Sequence, residues 1–175
     1  GYAACCSGGI GYIGAISENG NVLTIDSRGP LNAAGYLTGG GVHISSRASR
    51  DAGYVIEARI LSIPGSAFYL GVFRKMSLAL SADGSRLLIG VSWCCNQTLH
   101  GRVLYYKRGA TPAPGLPRAW SRVMTLGPPA GTVDYGNFGD VVAVAGDLGF
   151  AGGRARSIAD IPDGWHSDIF FFRLP

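Results

Sequence analysis

Ala15-Ile16-Ser17-Glu18-Asn19-Gly20 and Ala79-Leu80-Ser81-Ala82-Asp83-Gly84 are one pattern written twice, 64 residues apart. Each closes an apolar run with a hydroxyl residue, then places Asn or Asp before Gly, the chemistry of a tight turn between two strands. The same shift lands again on Ala143-Val144-Ala145-Gly146-Asp147. A period of this length marks a repeat architecture, so the chain is read as copies of one unit.

Two further landmarks keep the period. Val42-His43-Ile44-Ser45-Ser46-Arg47, Val103-Leu104-Tyr105-Tyr106-Lys107-Arg108 and Asp168-Ile169-Phe170-Phe171-Phe172-Arg173 each carry Arg five positions after their first residue. An aromatic opens an alternating run at Tyr54-Val55-Ile56-Glu57-Ala58-Arg59-Ile60 and at Trp120-Ser121-Arg122-Val123-Met124-Thr125-Leu126. Each copy therefore predicts four short strands: one ending at the Ser turn, one after it (Val22 to Ile25, Leu87 to Val91), one ending in the Arg, and one opened by the aromatic. In the third copy Leu148-Gly149-Phe150-Ala151-Gly152-Gly153 is too glycine-rich to be expected as a good strand, and the chain ends before an outer strand. The repeat units run roughly over 10–72, 73–136 and 137–175 of a single domain.

Four-stranded units at this period are the sequence form of β-propeller blades. The strings Phe138-Gly139-Asp140-Val141-Val142-Ala143-Val144-Ala145-Gly146-Asp147, Met76-Ser77-Leu78-Ala79-Leu80-Ser81-Ala82-Asp83-Gly84 and Gly101-Arg102-Val103-Leu104-Tyr105-Tyr106-Lys107-Arg108 resemble the FG-GAP repeats of integrin α-type propellers. The Phe-Gly pair itself stands only at Phe138-Gly139; Ile10-Gly11 and Phe73-Arg74 occupy its place in the other copies. Three units fall short of the four to eight blades of a closed propeller. The expected fold is all-β, a partial β-propeller of about three four-stranded blades completed by further polypeptide or by other chains. A β-trefoil, a β-prism and a plain β-sandwich are the alternatives.

The resemblance also implies calcium, but no copy has the acidic D-x-[DN]-x-[DN]-G loop that would supply its oxygen ligands. No metal and no other cofactor are therefore expected. Asp134, Asp140 and Asp147 are the carboxylates close enough in sequence for the fold to bring together.

The charged fraction is 15% and the hydrophobic fraction 47% over 175 residues, a composition with a real core. Every apolar run is broken before the length of a membrane-spanning helix. The net charge of +4 comes from 15 basic residues, 13 of them Arg, spread from Arg28 to Arg173 rather than clustered as a nucleic-acid reader would have them. Gly1 reads as an internal or processed end of a longer product.

The cysteines form two adjacent pairs, Cys5-Cys6 and Cys94-Cys95, with no zinc spacing. They are expected as disulfides of an extracellular or secretory-lumenal protein. In the blade reading both pairs fall at the same face, which allows bridges between the pairs; bonds within each pair are the alternative. Asn96-Gln97-Thr98 is an N-glycosylation sequon, with Asn96 the acceptor. His43, His100 and His166 accompany no nucleophile elbow, zincin motif or phosphate loop, and the acids show no paired spacing, so no catalytic residue is expected. Trp120 reads as packing between units, whereas Trp93 and Trp165 are candidate ligand-binding aromatics for a sugar face. The function expected is a non-enzymatic adhesion or scaffold module contacting other protein subunits of an assembly. A lectin-like glycan binder is the alternative.

Overall fold

A computed structural model describes residues 13–28, 40–60, 74–93, 101–110, 118–128, 138–156 and 165–175. These form eleven strands: β1 Gly14–Ile16, β2 Val22–Arg28, β3 Gly40–Ser46, β4 Val55–Ile60, β5 Arg74–Leu80, β6 Arg86–Trp93, β7 Arg102–Arg108, β8 Trp120–Leu126, β9 Val141–Ala145, β10 Leu148–Arg156 and β11 Trp165–Arg173. Among the described residues there is no helix, and so none long and apolar enough to cross a membrane.

The strands make three antiparallel meanders, β1-β2-β3-β4, β5-β6-β7-β8 and β9-β10-β11, here called sheets 1, 2 and 3. The Ser turns form as their sequence dictates. Ser17 N–H donates to Val22 O at 2.9 Å and Ser81 N–H to Arg86 O at 3.0 Å, while Gly20 and Gly84 both sit at φ +70°. The turn of the third copy is shorter: Ala145 pairs with Leu148, leaving only Gly146 and Asp147 between the strands, with Gly146 at φ +59°.

Period-two alternation decides which face of each sheet is covered. On sheet 1 the face bearing Val22, Val42, Ile44 and Ile60 packs against Leu78, Leu87, Ile89, Val91, Leu104 and Tyr106 of sheet 2. The opposite face of sheet 2, with Leu88, Val103 and Tyr105, packs against Phe138, Val142, Ala151 and Leu174 of the third unit. Sheet 2 is thus covered on both sides, which is why Leu87-Leu88-Ile89 and Val103-Leu104-Tyr105-Tyr106 are unbroken apolar runs instead of alternating ones. The sheets are stacked in one sense: Ala15 of sheet 1 and Ala79 of sheet 2 occupy equivalent places, and each lies on the face that meets the following sheet. That face is the leading face, its opposite the trailing face. The first strands are neighbours, β1 against β5 and β5 against β9.

One strand departs from expectation. β10 is nine residues long and pairs along its whole length with β11, despite five of its residues being Gly or Ala. Its glycines lie opposite large side chains: Gly149 faces Phe172, whose ring would stand 2.3 Å from any Cβ placed there. The small residues of β10 leave room for the aromatics of β11, and Phe150 and Phe171 meet edge to face at 4.9 Å between centroids.

Candidate interaction surfaces

At the end of the stack where the Ser turns lie, side chains tie the turns to one another. Ser17 Oγ donates to Asn19 Oδ1 at 2.8 Å and accepts from Val22 N–H at 3.0 Å. In the second copy Ser81 Oγ donates to Asp83 Oδ1 at 2.6 Å and accepts from Arg86 N–H at 2.9 Å. Asp83 also receives Ser85 N–H at 3.0 Å and Ser85 Oγ. The Ser81 hydroxyl foremost, then Ser85 and the nearby Arg86 charge, outweigh burial and hold the Asp83 carboxyl down at about 2. Glu18 N–H donates to Ala82 O at 3.0 Å, and Arg86 donates to Gly146 O, so the three turns are linked in series.

The Arg landmarks act at the same end. Arg47 Nε donates to Gly20 O at 2.9 Å, its guanidinium lies 4.9 Å from the Tyr54 ring centroid, and Tyr54 Oη donates to the same carbonyl. Arg108 instead crosses to sheet 1. It makes a two-pronged ion pair with Glu57, while Trp120 Nε1 donates to Glu57 Oε1 at 2.9 Å. Glu57 is 8% exposed, and burial alone would raise its pKa. The hydrogen bonds from Arg108, Ser46 and Trp120, with the Arg108 charge, reverse this and leave it below the ordinary carboxylate value. Trp120 therefore packs between sheets, as its sequence position implied. The charged cluster it completes was missed because its members come from separate runs; a lone Glu among β-branched neighbours opposite an Arg landmark was the signal.

Phe138-Gly139 has a physical role of its own. Phe138 is 2% exposed and meets Phe170 edge to face at 5.4 Å. Gly139, at φ +84°, lays its carbonyl against sheet 2, where it accepts from Ser77 Oγ at 2.8 Å. Sheet 2 makes space with glycines: a Cβ on Gly90 would lie 2.1 Å from Gly139 O, and one on Gly101 1.8 Å from Phe138 O. Close by, Ser92 Oγ donates to Asp140 Oδ1 at 2.5 Å.

Asp140 precedes β9 and Asp147 follows it, so the two carboxylates stand at opposite ends of a strand and do not meet; Asp134 lies outside the described residues. Among the described residues no three His, Cys, Asp or Glu side chains come together as a metal site. His43 sits half-buried on β3, cross-strand from Ile25 and Arg59. Trp93 ends β6 and Trp165 begins β11, which puts both backbones at the end of the sheets away from the Ser turns. Cys5, Cys6, Cys94, Cys95, Asn96 and His100 lie outside the described residues.

Comparison with protein-family models, with curated proteins and with solved structures finds no match to this chain.

Proposed function

We propose that the chain is a non-enzymatic scaffold or adhesion module of the propeller type, built of FG-GAP-like repeats and working outside the cell or in the secretory lumen. The observation that carries this reading is the stacking of three meanders in one sense with their first strands adjacent, the relation in which propeller blades stand to one another. The Phe138-Gly139 docking on Gly90 and Gly101 supports the resemblance, because it gives the chain's one Phe-Gly pair a packing role between units. In such a scaffold the segments between second and third strands and those between fourth and first strands form the protein-binding surface. That function follows from fold-level analogy.

A second reading has one observation in its favour. Trp93 and Trp165 belong to neighbouring sheets and to the same end of them, as a sugar-stacking pair requires. A photo-crosslinker at position 96, in the segment after β6, and another at Glu18, on the opposite turns, separate the two when introduced into the secreted protein at its source. The scaffold reading expects capture of a discrete protein from position 96 and none from Glu18, with no sugar selected on a glycan array. Selective glycan binding lost in Trp93→Ala overturns it in favour of the lectin.

A further inference from the structure

Of the five asparagines in the chain, Asn19 alone is followed by glycine. In such a pair no side chain on the following residue hinders its backbone nitrogen from reaching the asparagine side-chain carbonyl carbon, Cγ. The turn between β1 and β2 adds access: Asn19 is exposed, and a Cβ placed on Gly20 would meet, beyond its chain neighbours, the flexible Arg47 Nη2 at 3.0 Å. It also adds polarisation, since Asn19 Oδ1 receives two donors, Ser17 Oγ at 2.8 Å and Asn21 N–H at 2.9 Å. Two fixed donors are how an oxyanion is held: when a nucleophile adds to Cγ, negative charge develops on the oxygen they already face. The equivalent turn of sheet 2 shows that a carboxylate fits. Asp83 stands in the place of Asn19 and takes the same two kinds of donor, Ser81 Oγ at 2.6 Å and Ser85 N–H at 3.0 Å.

We infer that Asn19 is a deamidation site, converted in the folded protein to aspartate through a cyclic succinimide. Gly20 N loses its proton to solvent hydroxide and bonds to Asn19 Cγ, and the side-chain amide nitrogen leaves with a proton as ammonia. Water then adds to Cγ, the bond from Cγ to Gly20 N breaks, and that nitrogen regains a proton while a carboxylate remains. One water is consumed and one ammonia released, with no change of oxidation state. Opening at the other ring carbonyl, that of the backbone, would give isoaspartate; the donors at Oδ1 favour attack at Cγ and hence ordinary aspartate. Gly20 N–H donates to Ser17 O at 2.8 Å, so ring closure waits on local release of that bond in an exposed turn. Asp83-Gly84 does not follow the same course. Its ionised carboxylate is a poor electrophile, and Gly84 is buried, where a Cβ would stand 2.5 Å from Val22 Cγ2. Conversion of Asn19 gives the first turn the charge that the second already has, near the Arg47 guanidinium that holds Gly20 O. This chemistry is independent of what the module binds and of how many sheets the full polypeptide carries.

The test is timed incubation of the folded chain at mildly alkaline pH followed by peptide mapping, with Ser17→Ala and a parallel wild-type sample in urea. Asparagine is expected to become aspartate at residue 19 before any other asparagine reacts. Aspartate should exceed isoaspartate there, as counted with an isoaspartate-specific methyltransferase, whereas isoaspartate should be the larger product in urea, where the donors are lost. Ser17→Ala, shown to be folded by circular dichroism, should convert about tenfold more slowly and yield a larger isoaspartate share. An Asn19 that survives in the folded chain while the urea sample converts fully overturns the inference and makes the turn a protective one. Equal or faster conversion in folded Ser17→Ala overturns it as well. So does a folded product ratio equal to that in urea, a result that needs no variant and decides even where Ser17→Ala fails to fold.

Discussion

Asn19 and Asp83 hold equivalent turns, one neutral and one charged, with the same pattern of bonds from a Ser hydroxyl and a backbone N–H. The charge at Asp83 is therefore dispensable for geometry but not for acid response. Its folded pKa of about 2 lies below that of the unfolded chain, near the ordinary aspartate value of 3.8. Its contribution is thus complete above about pH 4 and lost as the pH falls toward 2. Asp83→Asn is expected to keep the fold and to flatten the stability profile between those values, read by denaturant unfolding at each pH. Glu57 differs in kind, since it is enclosed with Arg108. Glu57→Gln leaves a guanidinium poorly paired between sheets and is expected to cost about 3 kcal/mol in urea unfolding. A third residue effect is steric. Gly90→Ala drives a Cβ into the Gly139 carbonyl and should destabilise by about 1–3 kcal/mol, whereas Gly53→Ala meets nothing within 4 Å and should stay within about 0.5 kcal/mol of wild type.

The strands were legible where local chemistry fixes them. The Ser-x-Asn/Asp-Gly turns, the Arg-terminated runs and the aromatic openings all mark observed strand ends, because turn residues and period-two alternation act over a few positions. What was not legible depends on neighbours in space. Gly149 and Gly152 argued against β10, yet Gly149 is small because the Phe172 ring lies against it, a relation visible only once the register is known. Nor could alternation show that sheet 2 is covered on both faces, since an unbroken apolar run fits several burials. The Glu57, Arg108 and Trp120 cluster joins residues more than fifty positions apart, beyond any local pattern. The β10 argument has its own test. Gly149→Ala forces the Phe172 ring to move and should cost about 1–3 kcal/mol, while Gly149→Ala with Phe172→Leu should recover part of it, a non-additivity measured by a double-mutant cycle in urea.

At the scale of the whole molecule, chain length between cross-links separates two ways of joining four cysteines. β1 begins and β6 ends at the same end of their sheets, away from the Ser turns, and the cysteine pairs precede the one and follow the other in sequence. Bridges from Cys5 and Cys6 to Cys94 and Cys95 close a loop of about 90 residues, which the chain-entropy model values at around 4 kcal/mol, the second bridge adding little because the loop is already closed. A domain of this size shifts its unfolding temperature by roughly 2–4 °C per kcal/mol. Reduction is then expected to lower it by about 10 °C. Bonds within each adjacent pair close almost no chain and would leave the temperature nearly unchanged. Intact mass before and after reduction counts the bridges, and the melting curve with and without reductant says which kind they are. Two bridges and a large thermal loss place the protein in an oxidising compartment with its first and second sheets stapled. Four free thiols at the bare chain mass would remove the secretory assignment, and with it the expectation of a glycan on Asn96.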